Sequence, residues 1–273
     1  MPDTINNNGS GRDRFGAKLR SWRPELPDPR DYPFTASGIA IRDRVASLGH
    51  ARGVRIHDQG QTSACTGHGS TTAVETSLGL HGDAVQLSRL YPYYWGRFAI
   101  GEAHLDNGAY NRDVIKSIAQ RGCPVESKWK FNIPNIIVPP SKSAEKDAAA
   151  RLPTQFAGMQ YQRCSSVDQM VAAINDGCGV MFGFIAFENI FGLDKKNYTL
   201  PMPGANDMPV GGHAVCADGY SVPDRYFEIA NSWGVSWGNG GRFRMPFEWF
   251  TDPRRLCDDI WAIVPATRIP VPG

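Results

Sequence analysis

The period of the apolar residues changes once along this chain, and that change limits the folds open to it. Up to about residue 130 the apolar positions recur at helical spacing; from about 179 they fall into short runs bounded by turn residues, the pattern of strands. Residues 65–80 carry Ala73, Val74, Thr76, Ser77 and Leu80 at roughly helical spacing, a largely buried helix of small residues punctuated by Gly82 and Asp83. Residues 87–98 form an aromatic stretch in which Pro92 fits only an early helical position. Residues 111–121 place Val114, Ile115, Ile118 and Ala119 on one helical face, with Gly122 as the stop. Between 128 and 153 the pattern lapses: Pro134, Pro139, Pro140 and Pro153 flank a polar run and an alanine-rich turn of helix. Ser166-Val167-Asp168-Gln169 then reads as a capping box opening a helix through Ile174, closed by Gly177. Strands are expected over 179–187, 213–220, 226–230, 242–245 and 260–264. The chain is therefore expected to be α+β, a helical half followed by a mainly antiparallel β half. Its expected division is an extended N-terminal segment (1–50), a helical lobe (51–130), a connection (131–155) and a β-rich lobe (156–273).

The first 20 residues are rich in Asn, Gly, Asp and Arg without periodicity and are expected to be loosely attached. Trp22, Pro24, Leu26, Pro27, Pro29, Tyr32 and Pro33 follow, an extended segment that cannot be helical and must lie along a surface. It reads either as an arm packed on the body or as an inhibitory strap across a cleft. Residues 1–22 hold no apolar run, so no cleavable secretory signal is expected, and the chain is placed in the cytoplasm or exported by a non-classical route. No window approaches the ~18 apolar residues of a membrane span. A net charge of +2, from 29 basic and 27 acidic residues, gives no reason to expect a nucleic-acid or acidic-membrane partner. The 6 cysteines show no C-x-x-C pair and no zinc-ligand spacing, so no metal and no cofactor is expected. One reactive thiol among ordinary buried ones is the expected account.

The reactive one is Cys65. It sits where the polar loop His57-Asp58-Gln59-Gly60-Gln61-Thr62-Ser63-Ala64 runs into a helix, and a thiol at a helix N-terminus is biased towards thiolate. Gln59 supplies an amide donor that a folded-back loop can aim at the same point. Nucleophilic catalysis also needs a base and a group that orients it. His68 lies in the same helix as Cys65, at a spacing that leaves little room for substrate between ring and sulfur. His213, in Val210-Gly211-Gly212-His213-Ala214-Val215, begins an apolar strand after two glycines that allow close approach. A lone histidine there would be read as a core residue. Asn231, in Asn231-Ser232-Trp233-Gly234-Val235-Ser236-Trp237-Gly238, changes that reading, because its amide can fix the imidazole tautomer while two tryptophans roof the hydrogen bond.

Together these motifs resemble the papain-like (cathepsin-like) cysteine peptidases, in the bacterial branch whose nucleophile motif reads Asp-Gln-Gly-x-x-x-x-Cys-Thr. The match takes in Gln59-Gly60, Cys65-Thr66, Leu87-Ser88, Asn107-Gly108-Ala109, Gly211-Gly212-His213-Ala214-Val215, Gly219-Tyr220 and Asn231-Ser232-Trp233-Gly234, covering about 54–264; Pro27-Asp28-Pro29-Arg30-Asp31-Tyr32 is similar to the entry sequence of bacterial relatives. The resemblance implies a two-lobe fold with an antiparallel, β-barrel-like C-terminal lobe and the cleft between the lobes. It implies an endopeptidase acting through a thioester, with a peptide or protein as partner and a monomeric chain. Cys65 attacks the scissile carbonyl, His213 forms a thiolate–imidazolium pair with it, and Asn231 orients His213. Gln59 and the Cys65 backbone N–H make the oxyanion hole. Asn107, Gly108 and Ala109 hydrogen-bond the substrate backbone, and Gly212 leaves a second-subsite pocket open to apolar side chains. Trp237 walls the leaving-group side, and Trp233 is counted among the substrate-contacting residues.

The sequence departs from the family in three places. Thr62 stands where many relatives carry a bridged cysteine, Thr66 stands for the usual tryptophan, and a long helical pro-domain is not expected before the loop. An acyltransferase or deamidase on the same Cys-His-Asn machinery, or a non-catalytic binder on a peptidase fold, are the alternative expectations.

Overall fold

The computed structural model describes residues 22–26, 28–80, 85–267 and 271. The loosely attached segment expected over 1–20 and the turn at Gly82 and Asp83 lie outside them.

Two short elements, β1 (Arg44–Val45) and α1 (Leu48–Ala51), lead to the central helix α2 (Cys65–Leu78). Every residue of α2 except Leu78 is buried, and most of them are small; the large buried exceptions are His68 and Glu75. At Gly67 a Cβ would stand 2.4 Å from the Arg89 carbonyl oxygen, so the next helix could not approach as closely behind any other residue. The helix ends at Gly79 in the left-handed conformation (φ 62°), a common helical stop. α3 (Leu90–Phe98) carries Pro92 in its first turn, where the missing N–H has no intrahelical acceptor to lose. α4 (Asn111–Arg121) is stopped by Gly122 at φ 74°, and a Cβ there would meet the Ala148 carbonyl oxygen at 2.2 Å.

Ala148 belongs to α5 (Lys142–Gln155), a 14-residue helix where the sequence pattern suggests only a turn. Ser141 caps it, accepting from the Ala144 N–H, and Pro153 sits inside its last turns. α6 (Val167–Asn175) opens on Ser166, which accepts from the Gln169 N–H; the Gln169 side chain reaches back to the Ser165 N–H (2.7 Å). β2 (Gln160–Arg163), β3 (Val180–Phe187), β4 (Pro209–Ser221), β5 (Tyr226–Ala230), β6 (Arg242–Pro246) and β7 (Cys257–Val264) build the sheet, and α7 (Glu248–Thr251) lies between β6 and β7.

The sheet is antiparallel in the order β2-β7-β3-β4-β5-β6, with β1 paired to the end of β4. It is an open sheet among the described residues, so the barrel-like lobe implied by the resemblance is curved but unclosed. Breaks of register at Met181/Gly183, Ala186/Phe187 and Ala217/Gly219 bend the long strands instead. The aromatic core of the β half gathers Phe182, Phe184, Phe227, Trp237, Phe243 and Trp249. A second apolar cluster crosses between the halves, joining Ala73 and Val74 of α2 to Met181, Ala214, Cys216 and Trp261 of the sheet. That shared core fixes the first residue of α2 against the middle of β4. No helix of the described residues is long and apolar enough to cross a membrane.

Candidate active site

Cys65 is the first residue of α2 and fully buried, and its Sγ accepts the backbone N–H of Ala214 at 3.3 Å. Strand β4 therefore delivers the neighbouring residue, His213, to the sulfur from the other half of the molecule. The His213 ring is held from behind: Nε2 lies 2.8 Å from Asn231 Oδ1. Its Nδ1 is buried with no hydrogen-bond partner. Since an amide oxygen only accepts, Nε2 carries the proton in the neutral ring and Nδ1 presents a lone pair. Burial pushes the imidazole down to about 4, and the Asn231 hydrogen bond opposes that shift. Trp233 covers the ring (centroids 5.0 Å apart), and Phe184 meets it edge-on at 5.7 Å.

Two loops are stapled together to make this possible. Asp58 and Trp233 form an antiparallel bridge, the Gln59 N–H donates to the Ser232 carbonyl (2.8 Å) and the Gly234 N–H to the His57 carbonyl (3.1 Å). The loop before Cys65 and the loop carrying Asn231 are thus tied to each other by backbone hydrogen bonds. Gln59 is buried; its Oε1 accepts from Ser232 Oγ (2.6 Å) and its Nε2 donates to the Thr62 carbonyl (2.9 Å). Ser232 is a partner that sequence reasoning missed, although it lies inside the quoted Asn-Ser-Trp-Gly run. Asp106 is another. Its carboxylate accepts the Ser63 N–H (3.0 Å) and the Tyr93 hydroxyl (2.7 Å), and that hydroxyl in turn accepts the Gly108 N–H (3.1 Å). The nucleophile loop and residues 107–109 share this one anchor.

His68 does not enter the site. Its Nδ1 meets the Ala64 carbonyl (3.0 Å), its ring stands against Phe131, and burial pushes it down to about 3, a neutral core imidazole. Trp237 is fully buried, edge-on to Trp233 (5.1 Å) and to Phe243 (5.5 Å). All six cysteines are buried thiols outside any disulfide, and burial pushes those of Cys123, Cys164, Cys216 and Cys257 up. No cluster of three or more His, Cys, Asp or Glu suited to a metal occurs among the described residues.

The N-terminal segment touches both halves of the molecule beside these residues. Trp22 pairs with Ala109 in a parallel bridge, its N–H reaches the Gly212 carbonyl at 3.5 Å, and its indole is buried between the halves. Further along, the Phe34 N–H and the Tyr32 carbonyl pair with Arg163 of β2 (both 2.8 Å). Arg112 binds Glu25 (3.0 Å) and Asp31 (2.7 Å) of the segment.

The family described as papain family cysteine protease matches residues 48–249. An uncharacterized peptidase C1-like protein of Acanthamoeba polyphaga mimivirus is 30% identical over 217 residues, 77% of this chain and 70% of that protein. The thiol protease aleurain of Arabidopsis thaliana is 48% identical over 66 residues, 22% of this chain and 18% of its own. Among solved structures, xylellain, a cysteine protease from Xylella fastidiosa, superposes with a TM-score of 0.79 at 28% identity, covering 97% of this chain and 100% of that one. The chain belongs to the papain family of cysteine proteases.

Proposed function

We propose that this cysteine peptidase works as an endopeptidase with Cys65 as nucleophile, His213 as base and acid, and Asn231 as the group that orients His213. The observation that carries this is the pairing at His213, one ring nitrogen on Asn231 and the other unpartnered, on the strand residue next to the one that touches Cys65 Sγ. Nδ1 takes the thiol proton; the sulfur's negative charge is what offsets the burial that otherwise keeps this imidazole neutral. Sulfur adds to the scissile carbonyl, and the imidazolium protonates the leaving amine to leave a thioester. Water, deprotonated by the same nitrogen, then releases the acid. An epoxide reagent of the kind that alkylates papain-like enzymes should modify Cys65, as located by peptide mass mapping. An adduct on a different cysteine, with Cys65 unmodified, is the result that sinks the assignment.

The charge that develops on the carbonyl oxygen needs donors. The first N–H groups of a helix have no intrahelical acceptor, and Cys65 opens α2. Gln59 Nε2 has two hydrogens and spends one on Thr62, so the other serves the oxyanion. Gln59→Ala should lower kcat by about 10²–10³-fold with little change in KM, the usual consequence of losing one such donor. A loss confined to KM would assign Gln59 to ground-state binding.

Residues 22–34 act as an inhibitory strap in this reading. Trp22 takes up the backbone edges of both Ala109 and Gly212, the two places where a substrate chain would pair. Substrate then binds only the fraction of molecules with the strap lifted, and its apparent affinity falls by that fraction. Trp22→Ala should raise the second-order rate of Cys65 alkylation at least about tenfold, since truncating a buried Trp costs roughly 3–5 kcal/mol, a cost borne here by the closed state. Equal rates in the two proteins would show that the strap lifts freely and inhibits nothing.

A further inference from the structure

The indole that fills the groove ends on a carboxylate. Asp259, on β7, is fully buried at a positive φ of 52°. Its Oδ2 accepts two hydrogens, from Trp22 Nε1 (3.0 Å) and from the Glu25 N–H (2.8 Å), and both donors belong to the strap. Its Oδ1 has Arg163 Nη2 at 3.4 Å. When the strap lifts, Oδ2 loses both partners at once while remaining at the floor of the cavity that Trp22 vacates.

The walls of that cavity are cut to an indole. Gly183 of β3 and Gly212 of β4 contribute no side chain: a Cβ at Gly183 would fall 2.0 Å from Trp22 Cε2, and one at Gly212 would fall 3.2 Å from Cε3. Trp22 shares its apolar cluster with Met181, Ala214 and Trp261. The apolar preference expected from Gly212 alone accounts for these walls and misses the floor.

We infer that Asp259 is a specificity-determining residue, and that the cavity vacated by Trp22 selects an aromatic substrate side chain carrying an N–H donor at indole reach, tryptophan over phenylalanine. This rests on the peptidase reading above and names the substrate side chain that the same groove prefers. Phenylalanine would fill the walls and leave the buried Oδ2 unpaired, the situation in which a site built for a hydrogen bond discriminates most strongly. A cationic side chain gains less than the carboxylate suggests. Glu25 and Asp31 depart with the strap, while Arg163 stays against both Asp258 and Asp259 and Arg255 pairs with Asp258, so two cations face two carboxylates and the floor is an acceptor without a net negative field.

The test uses the full chain carrying Trp22→Ala, with peptidyl chloromethyl ketones that differ only in presenting Trp, Phe or Arg to the cavity, and with matching peptide substrates. Cys65 should be alkylated about ten to a hundred times faster by the Trp reagent than by the Phe reagent. Asp259→Gly in the same background keeps the positive φ and removes the carboxylate, and should bring that ratio close to one. Asp259→Asn also tolerates the conformation, retains an acceptor, and should keep part of the preference. A Phe reagent as fast as the Trp reagent, an Arg reagent faster than either, or a ratio untouched by Asp259→Gly would overturn the inference while leaving hydrolysis in place. Selective labelling without hydrolysis of any matching peptide would support the cavity and overturn the peptidase reading; failure of all three reagents to label Cys65 would overturn both.

Discussion

Cys65→Ala should reduce turnover to background, a loss on the order of 10⁵-fold or more, with the fold retained. The reasoning begins with the other thiols. Cys123, Cys164, Cys216 and Cys257 are buried with their ionisation pushed up, and Cys178 is fully buried, so none is placed to replace the missing thiolate. The cost to stability is small because the substitution removes one sulfur from the end of a helix whose neighbours are already small. What is lost is the acceptor for the Ala214 N–H, about 1 kcal/mol for a weak bond to sulfur. Thermal unfolding should therefore shift by only a few degrees. The measurement is kcat/KM on a peptide library beside a melting curve. Wild-type activity in the variant would mean another nucleophile; loss of activity with a collapsed melting curve would mean that Cys65 is structural.

How much of this was readable beforehand depends on range. Local signals served well: Gly122 as a stop, Ser166 as a cap and the run 226–230 as a strand all reappear in the structure, because each is decided by backbone preference within a few residues. α5 reads in the sequence as only an alanine-rich turn of helix because Pro153 and the charged Lys142, Glu145, Lys146 and Asp147 mask its periodicity, and its close packing on Gly122, just past α4, is not encoded locally. β2 was missed because Gln160, Tyr161, Gln162 and Arg163 read as polar; an edge strand needs only one buried face and a partner, here β7. At the site, Cys65, His213, Asn231 and Gln59 were visible as motifs. Asp106, Ser232 and Asp259 were not, since each gains its meaning from a partner far along the chain: Ser63 and Tyr93, Gln59, and Trp22. No periodicity encodes such pairs.

The second large effect separates the base from the group that aims it. His213→Ala removes the proton acceptor itself, and the rate should fall nearly as far as in Cys65→Ala, because residues that act as a unit fail together. Asn231→Ala leaves the imidazole present but frees Nε2, so the ring can take either tautomer and turn from Cys65. That loss should be near 10²-fold, inside the 10²–10⁴ that a positioned base contributes. Asn231 Oδ1 also accepts the Ser232 N–H at 2.8 Å, and Ser232 holds Gln59, so part of the deficit will come from a loosened oxyanion donor. Asn231→Asp keeps the acceptor and adds a charge, and it tells the two contributions apart. A carboxylate beside Nε2 stabilises the imidazolium, so the ring's pKa rises and the basic limb of the kcat/KM profile moves to higher pH. A defect due only to the Gln59 contact would leave that limb where it is. Equal losses in Asn231→Ala and His213→Ala, with no shift of the limb in Asn231→Asp, would remove Asn231 from the role of orienting the base.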